Sequence, residues 1–450
     1  MNRRLVAEHI FREGIERVLP DKLISNVIEL DDNSLRIGAK NFSIDSIKNI
    51  YVIGAGKASA LMGLEVEKIL GGKISHGHIV VKYGHSCRLK YIEVTEAGHP
   101  VPDKKGFKAA VRTREIAEKA GADDLVICLI SGGGSALLPD FPEGSSPDDM
   151  MKLGDLLVNC GASIAEINAV RKHLSTIKGG QLARAVYPAT LVSLILSDVP
   201  GNPLDVIASG PTTPDPTTFR QALDVLEKFN LTNVVPCSIL NYIIRGNEGN
   251  LPETPKPGDP VFEKVYNLIV GSNRFALEAA RQKALGLNIN TLIIDDKLQG
   301  DVSSVAEYLV GTALNFKNDV DVVKPVCLLF GGETTVNMTG KGKGGRNQHL
   351  ALLCASLLKN HPGITTLCAG TDGTDGPTDA AGAVVDSETF ATSIDKRIDL
   401  GTYIRDFDSY HFFKKIGGQI VTGPTMTNVM DIIVIIVDGA GEHEIEISQN

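Results

Sequence analysis

The sequence has no tryptophan and is poor in aromatic residues of every kind. Phenylalanine, tyrosine and tryptophan together make up 5% of the 450 residues, whereas glycine alone occurs 46 times. Many glycines with few aromatic rings are typical of α/β folds, in which numerous loops cross the ends of a parallel sheet. The composition therefore favours that fold class.

The sequence also lacks an apolar run long enough to cross a membrane, which takes about 20 residues. Charged residues interrupt the amphipathic helix predicted for residues 1–20, so this segment does not have the form of a signal peptide. The seven cysteines are scattered and contain no C-x-x-C pair, a pattern typical of reduced, buried thiols. We therefore expect a cytoplasmic protein with no membrane partner.

Positive charge is in deficit, with 45 lysines and arginines against 54 acidic residues and a formal net charge of -9. This balance argues against a protein that coats nucleic acid or an anionic membrane. A total does not describe a single cleft, so a basic pocket for a small anion stays compatible with it. We expect small-molecule substrates, and the sequence leaves a monomer and a homodimer equally open.

Short apolar runs alternate with helical patterns along most of the chain. The runs NIYVIGAG, HGHIVVKYG, DLVICLISGGG and ATLVSLILSD each resemble a buried strand that ends in turn residues. This order predicts parallel strands with helices on both faces, and the length predicts two domains. The predicted boundaries are 1–245, a Pro-rich linker at 246–260, and 261–450, with the last segment left open to pack back on the first domain.

Ligands bind beyond the carboxyl ends of the strands in such sheets, and the first of these ends carries the loop IGAGKASALMG. Gly54 and Gly56 permit a tight turn, and Lys57 beside exposed amides is a natural phosphate ligand. The loop lacks the first glycine of a Walker A sequence. It also has Ser59 at the third glycine of a dinucleotide fingerprint. A plain strand-to-helix turn is the alternative.

A second loop, LISGGGSALL, follows another apolar strand and has unobstructed backbone amides that predict a phosphate-binding nest. Its candidate phosphate-binding residues are Ser131, Gly132, Gly133, Gly134 and Ser135. The nucleophile pattern G-x-S-x-G is absent, which argues against a serine hydrolase.

Two further segments of the first half carry charge. On the helix predicted around residues 167–176, Arg171 shares a face with Ser175 and Lys172 shares one with Thr176. This cluster predicts either an anion contact or a solvated face. Asp198 stands at the tip of an apolar strand, where a carboxylate could meet Mg²⁺ or a hydroxyl proton.

Beyond the predicted linker, Glu333 follows a strand, and a glycine-rich stretch with Lys343 and Gly345 leads to Arg346 at the start of a helix. Glycines and cations before a helix predict an anion site, with a flexible hairpin as the alternative. The loop AGTDGTDGPTDAAGA then supplies Asp372, Asp375 and Asp379. It lacks the distal Glu of a calcium loop, and a role beside a Mg²⁺–nucleotide suits it better than calcium binding.

Seven motifs in this order resemble the class II glycerate kinases, the glycerate 2-kinase family whose C-terminal half is the MOFRL domain. The motifs are GAGKAS, SGGGSALL, NAVRKHLSTIKGGQLA, SDVPGNPLDVIASGPT, GGETTV, GKGGRNQ and AGTDGTDGPTDAAGA. The resemblance implies a Rossmann-like, doubly wound N-terminal domain, a smaller C-terminal α/β domain and an active site in the cleft between them. It also implies an ATP- and Mg²⁺-dependent transfer of phosphate to the 2-hydroxyl of D-glycerate, with Lys57 and Arg346 as active-site residues.

From the residues and the resemblance together, we assign three groups of sites. Lys57, Arg346 and Asp198 are the predicted catalytic residues, and Lys57, Arg171 and Arg346 the predicted substrate contacts. Phosphate contacts are predicted for the two glycine loops and for Lys343 and Gly345. The predicted Mg²⁺ ligands are Asp198, Glu333, Asp372 and Asp375.

The sequence departs from the family pattern at three places. His349 stands where glutamate is more common, and Met426 and Met430 replace an expected glycine and a small polar residue. Two other functions stay open: an NAD(P)-dependent hydroxypyruvate reductase and a non-catalytic sugar-phosphate-binding regulator.

Overall fold

The computed structural model describes residues 2–439, and the chain divides into two compact units. Pro20–Val270 form the first unit, and Met1–Leu19 with Gly271–Asn450 form the second. Each unit contains a six-stranded sheet. The predicted α/β class is confirmed, and residues 440–450 of the predicted C-terminal domain lie outside the described residues.

The helices and strands are numbered in chain order. The helices are α1 Arg3–Arg17, α2 Pro20–Ser25, α3 Ser59–Leu70, α4 Lys104–Ala117, α5 Gly134–Leu137, α6 Pro147–Asn159, α7 Ile164–His173, α8 Gln181–Val186, α9 Phe219–Lys228, α10 Cys237–Asn247, α11 Asn273–Gly286, α12 Val302–Asn318, α13 Arg346–Leu357, α14 Ser387–Asp395, α15 Leu400–Asp406 and α16 Ser409–Ile416. The strands are β1 Ile28–Leu30, β2 Ser34–Ile37, β3 Lys40–Ser43, β4 Ile50–Ala55, β5 Ile74–Lys82, β6 Glu93–Ala97, β7 Leu125–Ile130, β8 Thr190–Leu196, β9 Val265–Gly271, β10 Asn290–Asp301, β11 Val326–Thr335, β12 Ile364–Gly370, β13 Gly382–Val385, β14 Gln419–Ile420 and β15 Asp431–Val437. Within residues 2–439, no helix has both the length and the hydropathy of a membrane span.

The sheet of the first unit has the strand order β6-β5-β4-β7-β8-β9. The central strand β4 is parallel to both β5 and β7, so the order reverses between β4 and β7. Every residue of β7 is buried, as expected at the centre of a parallel sheet. In open α/β sheets, ligands bind at the carboxyl ends of the strands beside such a reversal. A small antiparallel sheet, β1-β2-β3, completes the strands of this unit.

The sheet of the second unit, β10-β11-β15-β12-β13-β14, is mixed rather than parallel. The last strand, β15, lies between β11 and β12 and is antiparallel to both. No helix separates β12 from β13, and without a crossover the two strands pair in antiparallel fashion. The final described segment is therefore a central strand of the second unit's own sheet.

The division of the chain differs from the predicted domain boundaries. The Pro-rich segment 246–260 belongs to the first unit, where the carbonyl of Pro255 accepts from the backbone N–H of Asp215 at 2.9 Å. The Thr254 hydroxyl donates to the Asp215 carboxylate at 2.9 Å. These bonds anchor a segment whose composition predicts a free linker. Along the chain, the boundary between the two units falls between Val270 and Gly271 instead.

The N-terminal helix α1 belongs to the second unit, although it precedes the whole first unit in sequence. Its buried face includes Val6, Ile10 and Phe11. A side-chain carbon at Gly14 would meet the Ala276 carbonyl of α11 at 3.0 Å, so the two helices approach closely at this glycine. Burial of this apolar stripe explains why the helix leaves the domain predicted for it.

The loop before β15 contains two methionines in the left-handed backbone region. Met426 has φ +62° and Met430 has φ +70°. The Met430 carbonyl accepts from the Thr371 hydroxyl at 2.6 Å and from its backbone N–H at 3.0 Å. Glycine adopts the left-handed region more readily than methionine, which gives a physical reason for the glycine expected at position 426.

We expect Met426→Gly to raise the free energy of unfolding by about 0.5–1 kcal/mol. The left-handed conformation costs roughly 1–2 kcal/mol in a residue with a Cβ, and the greater chain entropy of glycine offsets about half of that. Met338 is exposed and is not left-handed, so Met338→Gly is the matched control and should lower stability slightly. Urea denaturation of both variants checks this, and equal losses in both would contradict it.

Candidate functional site

The loops after β4 and β7 interlock at the point where the strand order reverses. The Lys57 backbone N–H donates to the Gly132 carbonyl at 2.9 Å, and the Ala58 N–H donates to the Ser131 hydroxyl at 3.1 Å. Gly56 has φ +144°, and a Cβ there would overlap Ser131. The structure therefore brings together the two predicted phosphate-binding loops, and Gly56 is what permits the contact.

Three amides of the second loop, those of Gly132, Gly133 and Ser135, donate to no other group in the described part of the chain. The amide of Gly134 does have an acceptor, the Ser131 carbonyl, at 3.2 Å. Unpaired amides on a turn bind anions. Helix α5 has only four residues, so the amides rather than a helix dipole are the feature that suits a phosphate.

Gly54 lies in a strand and not in the tight turn predicted for it. It lies inside β4, and a Cβ there would overlap the Leu129 carbonyl of β7. The glycine therefore allows close strand packing, and its position in the sheet accounts for it without a ligand.

Asp198 follows β8 and lies against the same loop. A Cβ at Gly132 would overlap Oδ2 of Asp198. Burial raises the pKa of this carboxyl, and the positive charge of Lys57 opposes the rise. The predicted residues Lys57 and Asp198 thus form one cluster with the unpaired amides, combining a cation, a carboxylate and hydrogen-bond donors.

His99 is a member of this cluster that the sequence analysis missed. A Cβ at Gly133 would lie 2.7 Å from its Nε2, so the imidazole packs on the glycine loop. Burial and the charges of Lys57, Lys82 and His85 lower the pKa of His99 to about 4, which keeps it neutral at pH 7. His99 follows β6, whose sequence EVTEA is too polar to indicate a sheet strand. The sequence therefore gives no reason to expect a ligand-binding loop after it.

The helix α7 segment uses most of its polar residues for internal bonds. Ser175 donates to Asp140 at 2.8 Å. The buried Lys172 ammonium lies 3.4 Å from Asp215. Burial lowers the pKa of Arg171, and the charge of Asp140 opposes this. Arg171 stays a predicted substrate contact, whereas the solvated-face alternative is wrong for Lys172.

In the second unit, Arg346 begins α13 and is held by two carboxylates. Its Nε and Nη2 donate to the two oxygens of Asp431 at 2.6 and 2.9 Å, and Nη1 lies 2.6 Å from Glu333. Burial lowers the pKa of Arg346, but the hydrogen bond and charge of Asp431 outweigh burial and raise it overall. Asp431 begins a strand, so the rule that places ligands at the carboxyl ends of strands does not point to it.

Asp375 caps the start of α13. Its two carboxylate oxygens accept from the backbone N–H groups of Asn347 at 3.0 Å and Gln348 at 2.8 Å. Burial raises its pKa to about 6, although these hydrogen bonds oppose the rise. A Cβ at Gly345 would overlap this carboxylate. The amides predicted to receive a phosphate therefore receive a carboxylate of the protein itself.

The remaining predicted residues of this unit are engaged locally. Asp372 accepts from the Thr374 backbone at 3.0 Å, and the Lys343 ammonium lies 4.6 Å from the centre of the Tyr410 ring. No group of three or more His, Cys, Asp or Glu side chains among residues 2–439 is placed to hold a metal ion. Mg²⁺ commonly binds through one or two carboxylates together with substrate phosphates, so the oxygen ligands present still fit it.

His349 is buried and stacks on Phe407, with ring centres 4.4 Å apart. Burial lowers its pKa to about 4. No hydrogen bond or ion pair within residues 2–439 joins it to Arg346. The departure from the family pattern at this position therefore lies in the packing beneath α13.

The strand order and its reversal define a doubly wound α/β protein, and comparison with known proteins specifies its family. Residues 6–244 match a domain of unknown function, DUF4147, and residues 326–431 match the MOFRL family. The glycerate 2-kinase of Pyrococcus horikoshii is 39% identical over 97% of this chain and 98% of its own.

Two further relatives cover most of the chain. The crystal structure of the glycerate kinase of Thermotoga maritima has a TM-score of 0.86 at 38% identity over 96% of this chain and 99% of its own. An Agrobacterium vitis protein named "Putative hydroxypyruvate reductase" is 41% identical over 86% of each chain. The chain belongs to the glycerate kinase family with a MOFRL domain, and the family recognised from the motifs is confirmed.

We expect Asp375→Ala to lower the free energy of unfolding by about 2 kcal/mol, the upper range for loss of a helix cap. Asp379, in the same loop, is exposed and makes no side-chain hydrogen bond in the described chain. Asp379→Ala is therefore the control and should change stability by no more than about 0.5 kcal/mol. Urea denaturation measures both, and a loss in Asp375→Ala no larger than in the control would contradict the capping role.

Proposed function

We propose that the protein is a cytoplasmic kinase that transfers the γ-phosphoryl group of ATP to the 2-hydroxyl of D-glycerate, giving 2-phosphoglycerate and ADP. It acts on small molecules as a monomer or homodimer, without a nucleic-acid or membrane partner. The observation that carries the proposal is the set of three unpaired amides beside Lys57 and Asp198. The family membership supports the same activity.

Phosphoryl transfer depends on positioning and on neutralising charge, because its transition state is loose and carries charge on the phosphoryl oxygens. The amides of Gly132, Gly133 and Ser135 hold phosphate oxygens, and the Lys57 ammonium neutralises them. Asp198 lies against the same loop. Its carboxylate accepts the hydroxyl proton or contacts the metal, and its raised pKa makes it a better proton acceptor than an exposed aspartate.

Arg346 is proposed as the second cation of the reaction, and Arg171 as a contact for the substrate carboxylate. A guanidinium binds carboxylate and phosphate through paired N–H donors. Arg346 already presents its donors in a fixed plane because Asp431 accepts from two of its N–H groups and Glu333 pairs with Nη1. Lys343 is a weaker candidate for phosphate contact because its ammonium already lies over Tyr410.

Mg²⁺ is proposed as the cofactor that enters with ATP. When bound, it neutralises the phosphate oxygens and orients them. Glu333 and Asp372 are the candidate ligands in the second unit, since both oxygens of Asp375 already accept hydrogen bonds. Asp198 is the candidate in the first.

A hydroxypyruvate reductase is the competing function, because one relative carries that name. It requires a nicotinamide site, and the glycine loop has Ser59 at the third glycine position. The Ser59 hydroxyl is buried and lies 2.9 Å from the Ser131 hydroxyl, so this position serves the contact between the loops. A non-catalytic regulator would keep the amides but has no use for Asp198 beside Lys57.

The deciding experiment supplies purified protein with D-glycerate, ATP and Mg²⁺. We expect ADP to form, and phosphorus NMR to identify 2-phosphoglycerate rather than the 3-isomer. A parallel reaction with hydroxypyruvate and NADH or NADPH should show no loss of absorbance at the reduced cofactor's wavelength. Cofactor oxidation without ADP formation would replace the kinase with the reductase, and neither reaction would favour the regulator.

We expect Lys57→Ala to lower kcat by about 100- to 1,000-fold, as for loss of one charge-stabilising group. ATP binding, measured by calorimetry, should weaken much less because the amides remain. Lys73 is exposed in the short 3-10 turn Gly71–Lys73 that follows α3, and Lys73→Ala should retain full activity. Undiminished turnover in Lys57→Ala would remove this residue from the reaction.

A further inference from the structure

The structure assigns to Asp431 the task of positioning Arg346, so that the guanidinium is held in one plane for the reaction. This assignment rests on the proposed function, in which Arg346 acts on the transferred phosphoryl group or the substrate carboxylate. Asp431 touches Arg346 and not the reacting atoms, so it is a positioning residue.

The contact between the two side chains is bidentate and buried. The Asp431 carboxylate is 3% exposed, and its two oxygens accept from Nε and Nη2 of Arg346 at 2.6 and 2.9 Å. Two parallel hydrogen bonds to a planar guanidinium fix both its location and its tilt. A single bond, or a lysine in place of the arginine, fixes neither.

The backbone of Asp431 is fixed by two neighbouring strands and by a side chain of α11. In the sheet register it lies opposite Gly332 of β11 and Gly370 of β12, so strands pair with it on both edges. Asn273, at the start of α11, donates its side-chain amide to the Asp431 carbonyl at 2.8 Å and to the Val429 carbonyl at 2.8 Å. The carboxylate is therefore anchored to the centre of the sheet.

The arrangement leaves part of the guanidinium available. An arginine side chain has five N–H donors. Asp431 accepts from two of them, on Nε and Nη2, and Nη1 lies 2.6 Å from the Glu333 carboxylate. The second N–H of Nη2 donates to no group in the part of the chain that the structure describes. Because the guanidinium is planar, fixing Nε and one N–H of Nη2 also fixes this second N–H, which a carboxylate or phosphoryl oxygen can meet.

The burial of Asp431 supports a functional reason for the pair. A carboxylate at the start of a buried strand is unfavourable unless it is paired, and an apolar residue would extend the aliphatic run of β15 without that demand. Within residues 2–439, Arg346 is the one group that donates to the Asp431 carboxylate. A role in orienting Arg346 accounts for a choice that packing alone does not.

The test is a double-mutant cycle on kcat and KM for D-glycerate and ATP. Asp431→Asn keeps the shape and removes the charge, and we expect kcat/KM to fall about 10- to 100-fold, mainly through kcat, because a misplaced group costs this much. In an Arg346→Ala background the same change should cost less than about twofold, since Asp431 then has nothing to position. Additive losses in the double variant would overturn the proposal.

A second ion pair in the same unit serves as the matched control. Arg4 donates from Nε to Asp386 at 2.6 Å and from Nη2 to the other oxygen of the same carboxylate. Asp386→Asn removes an equivalent bidentate pair, and it should lower the melting temperature while leaving kcat/KM within about twofold. A comparable loss of activity in this control would show that Asp431→Asn acts through stability alone.

Arg346→Lys keeps the proposal testable if Asp431→Asn does not fold. It retains the charge but cannot bind Asp431 through two parallel bonds. We therefore expect the logarithm of kcat/KM to fall by at least about three-quarters of the fall seen in Arg346→Ala. Activity near wild type in Arg346→Lys would overturn the positioning role. Wild-type protein without ADP formation would instead refute the proposed function, and the two failures are thereby distinguished.

Discussion

Close approach of two loops at the strand reversal is the constraint on which the first unit's site depends. Gly56 lies so near Ser131 that any side chain would overlap it, and the Lys57 amide reaches the Gly132 carbonyl. The same closeness recurs at Gly132 against Asp198 and at Gly133 against His99. Glycine at these positions brings a cation, a carboxylate and an imidazole around amides that stay unpaired, which is the arrangement an anion requires.

In the second unit, by contrast, the corresponding amides and cation already have partners within the protein. There the amides at the start of α13 are already capped by Asp375, and Arg346 is already paired with Asp431 and Glu333. Donors that are satisfied internally do not need a ligand for stability. The first unit therefore offers unsatisfied donors, whereas the second offers a guanidinium whose orientation is settled before any ligand arrives.

The sequence predicted the first cluster well because a simple rule governs it. The carboxyl ends of neighbouring parallel strands meet at one edge, so Lys57, Ser131 and Asp198 had to lie close together. The same rule missed His99, since β6 is too polar to be recognised as a strand. It also missed Asp431, because this residue begins a strand whose apolar run is evident in the sequence but whose antiparallel direction is not.

The domain boundary shows a second limit of local patterns. Prolines in 246–260 predict a linker, but Thr254 and Pro255 bind Asp215, which lies about 40 residues earlier in the chain, and so tie the segment to the first unit. Likewise, the apolar face of α1 packs against α11 of the second unit, although α1 precedes the first unit in the sequence. In both cases a contact with residues far away in the sequence decides which unit the segment joins, and local composition carries no information about such contacts.

Lys57 and Arg346, which the motifs present as equivalent cations, differ in their electrostatic surroundings. The charge of Arg346 is offset by Asp431 and Glu333 at hydrogen-bonding distance, so its long-range attraction for an anionic substrate is weak. Its contribution is a fixed orientation, because the bonds to Asp431 hold the plane of the guanidinium and with it the N–H of Nη2 that has no acceptor in the described chain. Preorganised donors stabilise charge that develops in a transition state without a cost of reorientation. We infer that Lys57 contributes mainly to attraction and neutralisation, and that Arg346 contributes mainly through geometry.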